Sequence, residues 1–216
     1  MRIVSSHICG LFINELSKRA GLILILSLFV ISSEPLFAQG RLSGPEKLSL
    51  LAIAREPLSS AFESRAPRIP DVGPRLRENR PVVVSLYLDG QLVARSWVLE
   101  RPGPLVDELI NLSTTILSEP MWGRVLTAEE HERVQFGVGV LSRFTEIPDE
   151  KAWQEGQAVV VMRGFKTGLA LPGDLPVGTS AFDLFSFASE MGGMRKGTWL
   201  LDDSSLFTSP ADEVRE

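Results

Sequence analysis

The sequence predicts an α+β domain with a mostly antiparallel sheet and flanking helices. Two β-rich runs enclose Asp89-Gly90, a dipeptide suited to a tight hairpin turn, and two further β-like runs enclose Arg163-Gly164. Helical patterns stand before, between and after these pairs. Helices interspersed with hairpins favour antiparallel pairing over a parallel sheet. With 216 residues, 44% of them hydrophobic, the chain suffices for one domain with a packed core.

The first 38 residues have the pattern of a secretory signal peptide. Lys18 and Arg19 precede the apolar run GLILILSLFVIS, and Ala38 stands at the expected cleavage edge. An uncleaved membrane anchor is the alternative, although about a dozen apolar residues fall short of the roughly 20 that span a bilayer. We therefore expect an exported protein, periplasmic or secreted, with its domain over residues 42–212.

Charge and composition exclude several classes of function. The chain has a net charge of −5 at pH 7, and removal of the leader makes the remainder more negative, which disfavours nucleic-acid binding. The leader also holds Cys9, the only cysteine, and His7, so the remainder has one imidazole, His131. Disulfides, thiol catalysis, and zinc sites with thiolate or several histidine ligands are thereby excluded. We predict no cofactor and no metal site, although carboxylate-only cation sites stay open.

The first half of the domain contains two predicted helices around a hairpin. PEKLSLLAIAREPLSSAFES has apolar residues at helical spacing, and Pro57 inside it predicts a kinked helix or two short ones. Residues 66–80 form a loop rich in proline and arginine. The hairpin PVVVSLYLDGQLVARSWVLE follows, and GPLVDELINLSTTILSE is an amphipathic helix that Pro120 ends.

The second half continues with strands and one helix. MWGRVLTAEEHER is predicted as a loop, and VQFGVGVLSRFTEI as a strand in which Gly137 and Gly139 indicate a bulge or close packing. QAVVVMRGFKTGLALPG holds the second strand pair. TSAFDLFSFASEM is a helix with Thr179 or Ser180 as its N-cap and Gly192 near its end. GTWLLDDSSLFTSP predicts a short closing strand.

Several of these stretches, in this order, resemble the AMMECR-type domain family, which is widespread in bacteria and archaea. LLAIAREPLSSAF resembles the family's opening helix, VSLYLDGQL its first hairpin, and GLALPGD its Gly-Leu-Leu-Leu-Pro strand end. EPMWGRVLTAEEHERVQFGVGVLSRFTEI and FDLFSFASEMGGM are similar to later family segments. The resemblance covers most of residues 46–210. It implies the family's fold but no settled activity, so function has to be argued from the site.

The chain departs from the family at its most characteristic motif. Leu-Arg-Gly-Cys-Ile-Gly lies on the strand after the hairpin turn in the family, where this chain has VARSWV, residues 93–98. Side chains replace both glycines, and Ser96 stands where the family has its thiol. The resemblance therefore implies that any chemistry of the family motif is not performed here.

Five residues are predicted to line a binding cleft. The Arg95 guanidinium and the Ser96 hydroxyl could donate to an anionic ligand while the Trp97 indole supplies apolar contact, and Trp122 with Arg124 matches the family's Arg-Phe-type region. The competing interpretation is an ordinary strand. Alternation would then send Arg95 and Trp97 to one face and Ser96 to the other.

Three functions follow as alternatives. The preferred one is an exported, non-catalytic domain that binds a small ligand or an envelope protein near residues 93–98. The second is an enzyme with a rebuilt site around Arg95, Ser96 and Arg124, in which Ser96 could act with His131 and Glu129 or Glu130. The third is a membrane-adjacent scaffold that meets an acidic partner or anionic lipid through the arginines of the loop, namely Arg65, Arg68, Arg75, Arg77 and Arg80.

Overall fold

The predicted α+β class is confirmed by the computed structural model, which describes residues 41–118 and 127–216. These ranges contain four α-helices and one antiparallel sheet. The helices are α1 (Gly44–Phe62), α2 (Leu105–Ser118), α3 (Ala128–Arg133) and α4 (Ala181–Met191). The strands are β1 (Val82–Leu88), β2 (Gln91–Val98), β3 (Val134–Leu141), β4 (Thr145–Ile147), β5 (Gln157–Arg163), β6 (Lys166–Ala170) and β7 (Ser205–Arg215).

The sheet has the order β2-β1-β3-β7-β5-β6, and β4 pairs with β7. Leu206 of β7 pairs with Ile147 of β4 and also with Val161 of β5, so β4 borders β7 on the side opposite β5. That is the side on which Leu141 of β3 pairs with Ala211. The strands β3 and β4 therefore run in line along β7, and β2 and β6 are the two edges of the sheet.

The closing strand is much longer than the sequence predicts. β7 has 11 residues, pairs with β5 through residues 205–210, and pairs with β3 through residues 211–215. Its polar residues and Pro210 obscure the alternation of its two faces. Phe207 and Ala211 pack on one face, whereas Leu206 and Val214 pack on the other.

The helices α1 and α2 cover one face of strands β1 to β3. Leu50 and Ile53 of α1 and Leu109 of α2 pack with the strand residues Val84 and Phe136, and all five are fully buried. The Ser43 hydroxyl accepts the Glu46 N–H, and the Glu46 carboxylate accepts the Ser43 N–H, which caps α1. The helix runs without interruption through Pro57, so the alternative of two short helices is wrong.

The helix α4 covers the same face of the sheet at its other half. Phe185 and Ala188 of α4 pack against Val159 and Val161 of β5, with Trp199 beside them. Of the two N-cap alternatives, Ser180 is the cap, since its hydroxyl accepts the Asp183 N–H. Gly192 ends the helix, as predicted.

The opposite face of the sheet lies inside its curl and has its own apolar cluster. Val83 of β1 and Trp97 of β2 belong to the same cluster as Val160 of β5 and Leu169 of β6. Residues near both edges thus meet on this inner face. Gly139 makes close packing possible, because a Cβ there would lie 2.9 Å from a Leu171 methyl carbon.

Local features follow the sequence in part. The hairpin turn is confirmed, with φ of 52° at Asp89 and 82° at Gly90. The predicted loop before β3 contains the short helix α3, which Thr127 and Glu130 cap. The predicted helix end at Pro120 lies outside the described residues. Within the described ranges, no helix combines the length and apolar character needed to cross a membrane.

Candidate functional site

A buried ion pair joins the two edges of the sheet at one end. Arg95 of β2 forms a bidentate pair with Asp174, which lies in the turn Pro172–Asp174 after β6. The Arg95 Nε also donates to the Ser85 Oγ at 2.8 Å. The exposed fractions of the Arg95 and Asp174 side chains are 0% and 1%. This contact closes the curl at the Arg95 end.

The charges of this pair are mutually compensated. Burial acts to lower the pKa of Arg95, but hydrogen bonds from its guanidinium to Asp174 and the charge of that carboxylate outweigh it and raise the pKa. The Asp174 carboxylate also accepts the Leu171 N–H at 2.6 Å. The Arg95 guanidinium is therefore occupied by protein groups and does not face a ligand.

A second carboxylate holds the same turn from β7. The Glu213 carboxylate accepts the Gly173 N–H at 2.9 Å, and burial raises the pKa of Glu213. Burial also raises the pKa of Tyr87, whose ring lies 3.6 Å from the Arg215 guanidinium carbon. Gly137 leaves room for this ring, since a Cβ there would approach Tyr87 to 2.9 Å. The inner face is thus polar and tightly filled at this end.

At the other end the edges stay apart and leave an open cleft of about 470 Å³. Trp97 and Leu99 line it from the β2 side, and Met162 and Thr167 line it from β5 and β6. Phe144, Val160 and Phe207 complete its apolar surface. A volume in this range, with mostly apolar walls, is typical of small-molecule sites.

Few polar groups face this cleft. Thr167 contributes a hydroxyl, and Glu100 stands exposed at the rim. Within the described part of the chain, Glu100 makes neither a side-chain hydrogen bond nor an ion pair. The cleft therefore offers a large apolar contact and an acidic rim.

The structure separates the five predicted cleft residues. Arg95 pairs with Ser85 and Trp97 with Val83, so both side chains lie on the inner face, whereas Ser96 pairs with Val84 on the helix-covered face. Of the three, only Trp97 lines the cleft. The anion-binding role predicted for Arg95 and Ser96 is therefore not supported by their placement. Trp122 and Arg124 lie outside the described residues.

The strand register also keeps Ser96 away from His131. Ser96 is opposite Val84, while α3, which carries His131, leads into Val134 opposite Leu88. Val84 and Leu88 are four positions apart on β1, or about 13 Å at the rise of a strand, and His131 lies three residues before Val134. A serine triad with Glu129 or Glu130 needs direct hydrogen bonds, so the structure does not assemble one.

Three of the five arginines of the predicted basic loop pair with nearby carboxylates. Arg65 pairs with Glu56 and Glu63, Arg75 with Glu46 at 3.2 Å, and Arg77 with Asp71 at 3.1 Å. Arg80 is 1% exposed, its guanidinium has no hydrogen-bond partner among the described residues, and burial lowers its pKa. Arg68 is exposed. Among the described residues of the loop, Arg68 is thus the one exposed arginine without an ion pair, which falls short of the basic surface that a membrane-adjacent scaffold would use.

Sequence reasoning missed most of the residues that shape this site. Asp174 and Glu213 lie 79 and 118 positions from Arg95 in sequence, and no local pattern links them to it. Met162 and Phe207 could have been assigned to one face by strand alternation, but only the sheet order brings them to Trp97. In the ranges that the structure describes, no three histidine, cysteine, aspartate or glutamate residues are grouped to hold a metal ion.

Comparison with known proteins supports the fold. The crystal structure of an uncharacterized protein from Pyrococcus horikoshii, PH0010, superposes with a TM-score of 0.65 and 21% sequence identity. The match covers 77% of this chain and 89% of that one. At this identity the likeness shows a shared fold alone. No protein-family model matches the chain, and no curated protein does.

Proposed function

We propose that this chain is an exported, non-catalytic AMMECR-type domain that binds a small, largely apolar molecule between its edge strands. The observation that carries the proposal is the open apolar cleft at Trp97, on the strand where the family has its characteristic motif. Through Trp97 this strand keeps a role in binding, while the chemistry that a thiol would supply is absent.

The cleft favours a ligand with an aromatic or aliphatic body and a neutral or cationic end. Phe144, Phe207 and Trp97 offer rings against which such a body can pack. Glu100 at the rim would repel an anion and attract a cation. Arg95, which is buried on this face, is already paired with Asp174 and adds no anion-binding group.

A non-catalytic role is supported by the groups that face the cleft. Thr167 and Glu100 are its polar side chains, and no histidine, lysine or cysteine is among the described residues that line it. A carboxylate such as Glu100 can act as a base, but general acid–base or nucleophilic catalysis also needs that base to be oriented and held within hydrogen-bond reach of the reacting group, and Glu100 is exposed at the rim. The cleft therefore suits retention of a molecule better than its conversion.

Binding of N-phenyl-1-naphthylamine, a neutral aromatic probe, tests the cleft directly. We expect its fluorescence to rise with the full chain. At about one hundred times its dissociation constant, the probe should stabilise the fold by about 2.7 kcal/mol. Thr167→Phe should weaken binding at least tenfold, because the ring would occupy the cleft from β6.

Thr114→Phe is the matched control, since it makes the same change at an exposed position of α2 away from the cleft. The control should bind the probe like the unchanged protein. Equal binding by both variants, with both folded, would place the probe elsewhere and contradict the proposal. Arg95→Ala would be unsuitable here, because it breaks a buried ion pair and changes stability by itself.

A further inference from the structure

The hairpin between β5 and β6 ends in an aromatic residue that is almost entirely in water. Phe165 is 98% exposed and follows Gly164, whose φ of 59° allows the tight turn. The ring makes no contribution to the apolar clusters of the domain. A single exposed apolar side chain needs no explanation by itself, so its surroundings decide what it can do.

Basic residues from two segments surround this tip. Lys166 lies next to Phe165, and its Nζ donates to the Gly193 carbonyl at 2.7 Å. This hydrogen bond connects the hairpin to the loop that follows α4. That loop brings Arg195 and Lys196, both exposed, to a surface groove that Phe165 and Lys166 also line. Leu201, 45% exposed, lies at the groove as well. We call Phe165, Lys166, Arg195, Lys196 and Leu201 the tip surface.

The charge of this surface is opposite to that of the whole chain. Asp203 is the one acidic residue among the described residues lining the groove, and it is paired with Arg163 at 2.9 Å. The three cations of the tip surface thus stay in excess, although the chain has a net charge of −5. Asp202, next in sequence to Asp203, is exposed and lowers this local excess without cancelling it.

We propose that the tip surface docks on an anionic lipid bilayer, with Phe165 inserted at the boundary between the headgroups and the acyl chains. A protruding aromatic side chain with three cationic side chains around it matches the interface of such a bilayer. Apolar groups enter the acyl boundary there, and lysines and arginines stay at the phosphates. A protein partner would instead need a complementary pocket for one isolated ring. The proposal is independent of ligand binding in the cleft, which lies at Trp97.

Insertion is tested by placing a tryptophan at the tip of the full chain. The probe is vesicles of phosphatidylcholine with about one third phosphatidylglycerol and brominated acyl chains, which quench tryptophans that reach them. Emission of Phe165→Trp, taken as the difference from the unchanged protein, should be quenched on these vesicles. The leader is identical in all variants, and the measurement reports contact at residue 165 rather than attachment of the chain.

Val177→Trp is the matched control, because Val177 is 97% exposed but lies before α4, at the far end of that helix from the tip surface. It should not be quenched. Lys166→Glu and Lys196→Glu, made in the Phe165→Trp chain, each change the local charge by two and should lower the affinity for the vesicles roughly thirtyfold, measured by the lipid concentration at half-maximal quenching, whereas Lys151→Glu should leave it unchanged. Absence of quenching at residue 165, equal quenching at 177, or indifference to the two charge reversals would overturn the proposal. Binding of polyglutamate without quenching would assign the surface to an acidic protein instead.

Discussion

The Arg95–Asp174 pair is the side-chain contact with the largest expected effect on the stability of the fold. Arg95→Met would leave the Asp174 carboxylate buried without a counter-charge. We expect the free energy of unfolding to fall by about 3–5 kcal/mol, measured by urea denaturation. Arg77→Met provides the comparison, because its partner Asp71 is 99% exposed and such surface pairs contribute less than about 1 kcal/mol.

A second substitution tests whether the stability loss of Arg95→Met comes from the lost attraction or from the unpaired charge of Asp174. Asp174→Asn keeps an oxygen that can accept the Leu171 N–H but removes the charge. Added to Arg95→Met, it should therefore recover part of the lost stability. A double variant that is less stable than Arg95→Met alone would show that the cost does not come from an uncompensated carboxylate.

The sequence predicts the face of the sheet to which a β2 side chain points better than it predicts the residue that the side chain contacts. Alternation along β2 places Arg95 and Trp97 on one face and Ser96 on the other, because side chains of a strand point to opposite faces in turn. It does not predict that Arg95 is occupied by Asp174. That contact depends on the curl of the sheet, which brings the turn after β6 to β2.

Gly168 is the element-scale feature that fixes how closely α4 packs on β6. A Cβ at this position would lie 1.9 Å from the Ala188 carbonyl oxygen, which is helix backbone and cannot rotate away. Gly168→Ala should therefore displace α4 and lower the free energy of unfolding by about 3 kcal/mol, the upper end of overpacking effects. Thermal or urea unfolding measures this change.

Two other glycines provide comparisons for the stability loss expected of Gly168→Ala. At Gly139 the obstruction is a Leu171 methyl group at 2.9 Å, which can shift, so Gly139→Ala should cost less than Gly168→Ala. Gly44 lies in the first turn of α1, and a Cβ there would have no neighbouring atom within 4 Å, so Gly44→Ala should be close to neutral. An equal cost at all three positions would contradict an explanation by close approach.

Elements with a strong local signal are predicted well, and those that depend on the sheet are not. The hairpin turn at Asp89-Gly90 and the N-cap of α4 follow from residue chemistry within a few positions. The strand β7 contains Pro210 and several charged residues, and it is ordered by pairing with both β3 and β5. Its length is therefore a tertiary property that a local pattern does not contain.

On the scale of the whole domain, β7 connects two halves that have separate helical layers. Its residues 205–210 belong to the half with β5, β6 and α4, and residues 211–215 pair with β3 of the half with α1 and α2. The Asp212 carboxylate also accepts the Leu42 N–H at 2.9 Å, just before α1. The ion pair and the cleft of the inner face lie between strands from both halves. The geometry of the cleft thus depends on this connection.

Truncation after Pro210 tests whether β7 makes the two halves unfold together. The change removes the pairing with β3 and the contact of Asp212 with Leu42, and it also removes the pair of Glu216 with Arg55 at 2.7 Å.

We expect the unchanged protein to unfold in one transition by calorimetry. The truncated chain should lose at least about 3 kcal/mol, or roughly 6–12 °C in Tm, and its two halves should unfold separately. Tryptophan fluorescence should then change in two steps, because Trp153 and Trp199 lie beside α4 whereas Trp97 lies on β2 of the other half, and the change from Trp153 and Trp199 should come at the higher temperature. A single transition at the original midpoint would mean that the inner-face contacts alone hold the halves together.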